Sequence, residues 1–123
     1  MKWIISLHKG FIKSFMDGSK TIELRTKVPS RLRAGDEIYC VEIASGGWVR
    51  LKLRVGDIIA STPDEFFDNY GTELALNYLA YRDYTQGRKY VYGIVVNRVE
   101  VVNIPLIYLG RSKAPQWFCT MGS

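Results

Sequence analysis

Apolar and polar positions change rhythm several times along the 123 residues, and each rhythm predicts an element. Trp3-Ile4-Ile5-Ser6-Leu7 is almost continuously apolar, as a short, mostly buried strand would be. Phe11, Ile12 and Phe15 then recur at helical spacing, which predicts a helix over 9–17 with Gly18 as its stop. From 21 to 25 the period shortens to two: Ile22 and Leu24 fall on one face, and Thr21, Glu23 and Arg25 on the other. Residues 26–36 read as a loop or single turn, 37–43 as a strand, and Ser45-Gly46-Gly47 as a turn.

The cleanest alternation follows. Val49, Leu51, Leu53 and Val55 take one face of a strand over 48–55, and Trp48, Arg50, Lys52 and Arg54 the other. That cationic face fits a solvated outer strand whose charges guard an edge, or a nucleic-acid contact with Trp48 stacking on a base. Gly56-Asp57 breaks or bulges the strand before Ile58-Ile59-Ala60. Thr62, Pro63 and Glu65 are placed as N-cap, first helical residue and capping-box partner. A second helical stretch is expected over 72–84, with Leu74, Tyr78 and Tyr81 on one side. Residues 89–102 are rich in β-branched side chains and are the best candidate for a central strand. Residues 105–113 are irregular, and 117–121 supply a last strand. Five to six strands with two or three short helices, and no βαβ rhythm, predict an α+β fold built as a small mixed or antiparallel barrel.

Composition narrows this picture. At 123 residues and 47% hydrophobic content, one domain over 1–123 with a proper core is expected. No apolar run nears the roughly 20 residues a membrane span needs, and the first residues turn polar too soon for a signal peptide. A cytoplasmic protein with no membrane partner is the natural expectation. Cys40 and Cys119 lie far apart and are expected as buried, reduced thiols. With His8 the lone histidine, no metal site and no cofactor are expected. The net charge is +5, and residues 1–54 carry eleven Lys or Arg against five acids, the remainder six against seven. Such asymmetry suits a polyanion such as nucleic acid or a nucleotide, and a merely basic soluble surface gives the same count.

The chemistry concentrates in Gly18-Ser19-Lys20-Thr21-Ile22-Glu23-Leu24-Arg25, in the middle of that basic half. It packs a cation, a hydroxyl, a carboxylate and a guanidinium into six positions, with apolar residues only at Ile22 and Leu24. A polar row backed by core, entered by a lysine from the Gly18 turn, is more than a structural strand needs. Gly35-Asp36 opens the next strand about ten residues on.

On this motif, the strand and helix before it, Gly35-Asp36, the helical insertion, the Val-rich strand and Ala114-Pro115-Gln116, the chain resembles the ASCH domain family. Members are small PUA-like β-barrels, related to the RNA-binding domain of pseudouridine synthases. The resemblance runs over nearly the whole chain. It implies a cleft lined by the motif strand and neighbouring loops, suited to RNA or a modified nucleoside. One bacterial branch removes the acetyl group from acetylcytidine with a Lys, a Thr and a distant Glu. Lys20 matches that lysine, Glu23 stands where the threonine would fall, and Glu73 is the nearest match to the distant glutamate. Other members are reported or suspected ribonucleases.

Amide hydrolysis needs an attacking oxygen, an acceptor for its proton and a stabiliser for the oxyanion. Lys20 suits the stabiliser, or a base if burial lowers its pKa; Thr21 offers a hydroxyl, and a water activated by Glu23 is a cleaner attacking group. Equally, Glu23 and Arg25 are spaced to form a same-face ion pair that only orders the cleft. The expected binding residues are Lys20, Glu23 and Arg25 in the cleft, Lys27, Arg31 and Arg33 for phosphate, and Gln116 for a base edge or a backbone hydrogen bond. Tyr78, Tyr81, Tyr90 and Tyr92 are expected in the core, and His8 as a boundary residue. The reading is an RNA- or nucleotide-binding module, with a hydrolase in the same cleft (acetylcytidine-type or ribonuclease) as the alternative and a protein-interaction module as a third.

Overall fold

The computed structural model describes residues 1–121. Its first strand, β1 (Lys2–Leu7), leads into α1 (Lys9–Asp17), which ends at Gly18 in the left-handed conformation (φ 83°), as the glycine stop required. The motif strand β2 (Ile22–Arg25), β3 (Glu37–Glu42) and the long β4 (Trp48–Ser61) follow. A helical insertion of α2 (Pro63–Tyr70), a 3₁₀ turn (Gly71–Glu73) and α3 (Tyr78–Thr85) precedes β5 (Val91–Pro105), a second 3₁₀ turn (Leu106–Leu109) and the short β6 (Cys119–Thr120). The α+β class and the count of elements match the expectation.

The six strands lie in one mixed sheet of order β2-β5-β4-β3-β1-β6. β1 and β3 run parallel and the other pairs are antiparallel. β2 and β6 form separate edges, so the sheet is not closed and "barrel" describes it only loosely. Register slips in the β4–β5 ladder between Val49 and Leu51 and around Val55 bulge and bend the pair. The Gly56-Asp57 step is therefore a bulge within one strand. β4 lies inside the sheet, between β3 and β5, so its cations guard no edge. Lys52 instead pairs with Glu37 at 2.8 Å, Arg50 lies 3.6 Å from Glu42, and the Arg50 guanidinium lies over Trp48.

Core residues cover both faces. Trp3, Ile5, Phe15, Ile38, Leu51, Leu53 and Phe118 form one cluster, and Ile4, Val41, Val49 and Leu106 a second. The third joins Ile22 and Leu24 of β2 to Phe66, Leu74 and Tyr81 of the insertion, and it is what holds the insertion against the motif strand. The alternation in β2 is as predicted: Ile22 and Leu24 enter this cluster, while Glu23 and Arg25 turn to the opposite side.

Several local expectations are corrected. The helix expected over 72–84 is broken: the chain leaves the 3₁₀ turn, takes a left-handed step at Ala75 (φ 53°), and restarts at Asn77, whose side chain caps the Ala80 N–H at 2.9 Å. The break lets Leu74 drop into the core while Leu76 turns to the motif side. Thr62 occupies the N-cap position of α2 but makes no side-chain cap bond, and it is exposed. Tyr81 is buried, whereas Tyr78 and Tyr90 are about half exposed and Tyr92 is partly buried. Cys40 is a buried free thiol and Cys119 only a partly buried one.

Candidate functional site

Three elements build a cleft of about 420 Å³ next to β2. The end of β1 and start of α1 give Ser6, Leu7, His8 and Phe11; the motif gives Lys20, Glu23, Leu24 and Arg25; the insertion gives Leu76, Ala80 and Tyr84. Most of this lining is apolar. The charged groups are therefore concentrated on the motif side.

Lys20 is aimed by local backbone chemistry. After the Gly18 reversal its own N–H returns to the Ser14 carbonyl at 3.0 Å, which turns the side chain beneath α1. There it is 3% exposed, with Nζ 4.6 Å from the centroid of the Phe11 ring and 5.4 Å from that of Phe15. Nζ donates to the Leu74 carbonyl at 2.9 Å and lies 3.5 Å from Glu23 Oε1. The other oxygen of Glu23, Oε2, accepts from Arg25 Nε at 2.8 Å, and the Arg25 guanidinium rests over Phe118. Burial pushes the Lys20 ammonium below its ordinary pKa; Glu23 pulls it back in part, and Arg25 adds a smaller push down. Glu23 thus sits between two fixed cations, one oxygen toward each.

Asp36, from the Gly35-Asp36 pair, has a different task. Its buried carboxylate accepts from the Met1 ammonium at 2.8 Å, Trp3 Nε1 at 3.0 Å and the Arg33 N–H at 3.1 Å. Burial pushes this carboxyl up, but the hydrogen bonds and the ammonium charge outweigh that and hold it below its ordinary value. It pins the start of β1 to β3 and does not line the cleft.

The other predicted residues are more scattered. Thr21 is exposed and serves through its backbone: its N–H donates to the Glu73 carbonyl and its carbonyl accepts from the Val96 N–H, both at 3.0 Å. The Glu73 carboxylate accepts from the Thr72 hydroxyl at 2.8 Å and is not among the cleft groups. Lys27, Arg31 and Arg33 are exposed on the loop after β2, outside the cleft lining. Gln116 is also exposed and outside it, although the preceding Pro115 carbonyl accepts from the hydroxyl of Ser6 in the cleft wall. Among the described residues no three His, Cys, Asp or Glu gather where they could hold a metal ion. No helix among them is long and apolar enough to cross a membrane.

Sequence reasoning missed the walls. His8 sits at the expected boundary, in the N-cap position of α1 without a side-chain cap bond, but it also lines the cleft, as does Phe11 one turn on. Their place at a strand-to-helix junction beside the motif was the available signal. Tyr84, Ala80 and Leu76 had none, because only packing of the insertion through Phe66, Leu74 and Tyr81 brings them here.

The mixed α+β sheet with its helical insertion is an ASCH domain fold, as the likeness to solved structures shows. The ASCH protein of Zymomonas mobilis superposes with a TM-score of 0.87 at 23% identity, covering 98% of this chain and 87% of that one. A single-substitution variant of it gives 0.86 at 24% identity over 98% and 87%. A Pyrococcus furiosus protein solved by solution NMR superposes less closely, with a TM-score of 0.55 at 22% identity over 83% of this chain and 98% of that one. No protein-family model and no curated protein matches the chain by sequence.

Proposed function

We propose that the cleft binds one nucleoside unit, presented by RNA, by a free nucleotide or by a modified nucleoside, in a cytoplasmic protein. The observation that carries this reading is the buried Lys20–Glu23–Arg25 row set into an otherwise apolar cleft. A volume of about 420 Å³ suits a ligand of nucleoside size. Phe11 and Tyr84 on the walls offer aromatic faces for a base, and polar groups on one side offer hydrogen bonds to its edge. The start of α1 at the cleft adds a favourable field for an anionic group. Lys27, Arg31 and Arg33 supply cations to steer an RNA backbone toward it.

Isothermal titration with nucleosides and short single-stranded RNAs tests this. Binding is expected, with RNA affinity falling steeply with salt, lost in Lys20→Met and weakened in Glu23→Gln. Absence of any binding defeats the reading. Variants that lower the melting temperature while leaving binding intact would make the motif a structural ion-pair lattice, as in a protein-interaction module.

One observation favours hydrolysis in the same cleft: Lys20 is buried with a depressed pKa beside a carboxylate, the setting for a general base. Against it, both oxygens of Glu23 are engaged by cations, so accepting a proton would weaken two ion pairs. Binding is therefore the better-supported role. Acetate release from acetylcytidine, or cleavage of an RNA, abolished in Lys20→Met would promote the enzyme.

A further inference from the structure

The motif row has an order, and the order is selective. Lys20 Nζ faces Glu23 Oε1 at 3.5 Å, and Arg25 Nε donates to Glu23 Oε2 at 2.8 Å, so the row runs donor, acceptor, donor. All three side chains border the same cleft. None is free to rearrange at little cost. Lys20 is tethered to the Leu74 carbonyl and packed against Phe11, and Arg25 rests on Phe118. Each also has capacity left: the ammonium has a third N–H, each carboxylate oxygen a second lone pair, and the guanidinium its terminal N–H groups.

A rigid donor–acceptor–donor row is complementary to an acceptor–donor–acceptor edge. Among the RNA bases that edge is the imide of uracil, carbonyl, N–H, carbonyl. Cytosine instead offers donor, acceptor, acceptor, which sets its ring-nitrogen lone pair against the Glu23 carboxylate. Guanine offers acceptor, donor, donor, which turns an amino group toward a cation. Adenine places an acceptor nitrogen against the carboxylate, as cytosine does. In a site this buried a mismatch leaves a polar group unpaired, and that loss exceeds what the matched bond contributes.

We propose that the cleft selects a uracil-type imide, with Glu23 accepting the imide N–H and Lys20 and Arg25 donating to the two flanking carbonyls. This rests on the nucleoside-binding reading and gives it a base. The imide is the shared chemistry of a free uridine and of a uridine unit in single-stranded RNA.

The test is a calorimetric titration of the wild-type chain with uridine, 3-methyluridine, cytidine, guanosine and adenosine, and with tetranucleotides carrying one U or one C. Uridine is expected to bind at least tenfold more tightly than cytidine, guanosine or adenosine. Methylation at N3, which removes the imide N–H, is expected to cost at least tenfold. Discrimination seen with free uridine names a nucleoside as the source, and discrimination seen only between tetranucleotides names RNA; both support the proposal. Equal or tighter binding of cytidine or guanosine, or retention of 3-methyluridine, overturns it while nucleoside binding stands. If no nucleoside or tetranucleotide binds, the broader reading falls as well. Glu23→Gln, checked for folding by thermal melting, should bind uridine and cytidine within threefold of each other. The 3-methyluridine arm uses the wild-type chain and does not depend on that variant folding.

Discussion

Two buried charges in this protein contribute to stability with opposite signs, and for both of them stability rises with pH. Asp36 is 3% exposed and its carboxyl is held below the ordinary 3.8, so the folded state binds that proton more weakly than the unfolded chain. Its contribution is complete above 3.8 and fades as pH falls through the folded value. Asp36→Asn should therefore cost about 1–3 kcal/mol at neutral pH, and the gap to wild type in urea denaturation should narrow in acid below 3.8. Lys20 is also depressed, but for a lysine this means that burying the charge opposes folding at neutral pH. That opposition eases as pH rises through the folded value toward the ordinary 10.5. Relative to Lys20→Met, wild type should gain stability over that alkaline window, measured as the difference between the two chains so that the titration of other groups cancels. A difference that shrinks with rising pH would show that the ammonium is not desolvated.

At the scale of elements, the contact between β2, β5 and α2 decides whether the cleft exists. Gly93 of β5 pairs with Leu24, and a Cβ there would overlap the Phe66 ring and lie 3.0 Å from Ile22 Cγ2. Gly93→Ala should destabilise by about 1–3 kcal/mol, and adding Phe66→Leu should recover part of the loss, both read from urea midpoints. Additive losses in the double variant would mean that the ring is not what Gly93 accommodates. This contact also explains what was legible in the sequence. The alternation of Ile22 and Leu24 with Glu23 and Arg25 is local, so it named the motif row and its two faces. The glycine stop at Gly18 and the presence of the long β5 were local as well, whereas the ends of β4, β5 and β6 were not: β4 runs on to Ser61 and β5 to Pro105, and β6 is only Cys119–Thr120. The broken insertion was not: Leu74 and Tyr81 lie at a plausible helical spacing, and only burial beside Phe66 makes the chain step out of helix at Ala75. Asn77 is the one sequence signal for the restart, and the apolar spacing that runs through it masks that signal.

Across the whole molecule, the basic half of the sequence divides into two kinds of charge. Arg50 and Lys52 are tied to Glu42 and Glu37 on the sheet, whereas Lys27, Arg31 and Arg33 stand exposed on the loop after β2. Counting charges in sequence could not separate these, because the acids that neutralise the first set come from neighbouring strands. If the loop cations meet RNA phosphates, replacing all three with alanine should reduce the log–log salt slope of single-strand binding by about 2 and leave the affinity for a free nucleoside unchanged. An unchanged slope would place the RNA backbone elsewhere. The bond from Lys20 Nζ to the Leu74 carbonyl has one more implication, for solvent access to the backbone. With the Thr21 N–H held by Glu73 beside it, the motif acts as a clasp on the neck of the insertion. Opening the clasp with Lys20→Ala should speed deuterium uptake at the amides of 74–80 while those of β1 keep their protection, so the lysine on the motif side of the cleft also keeps the far wall upright.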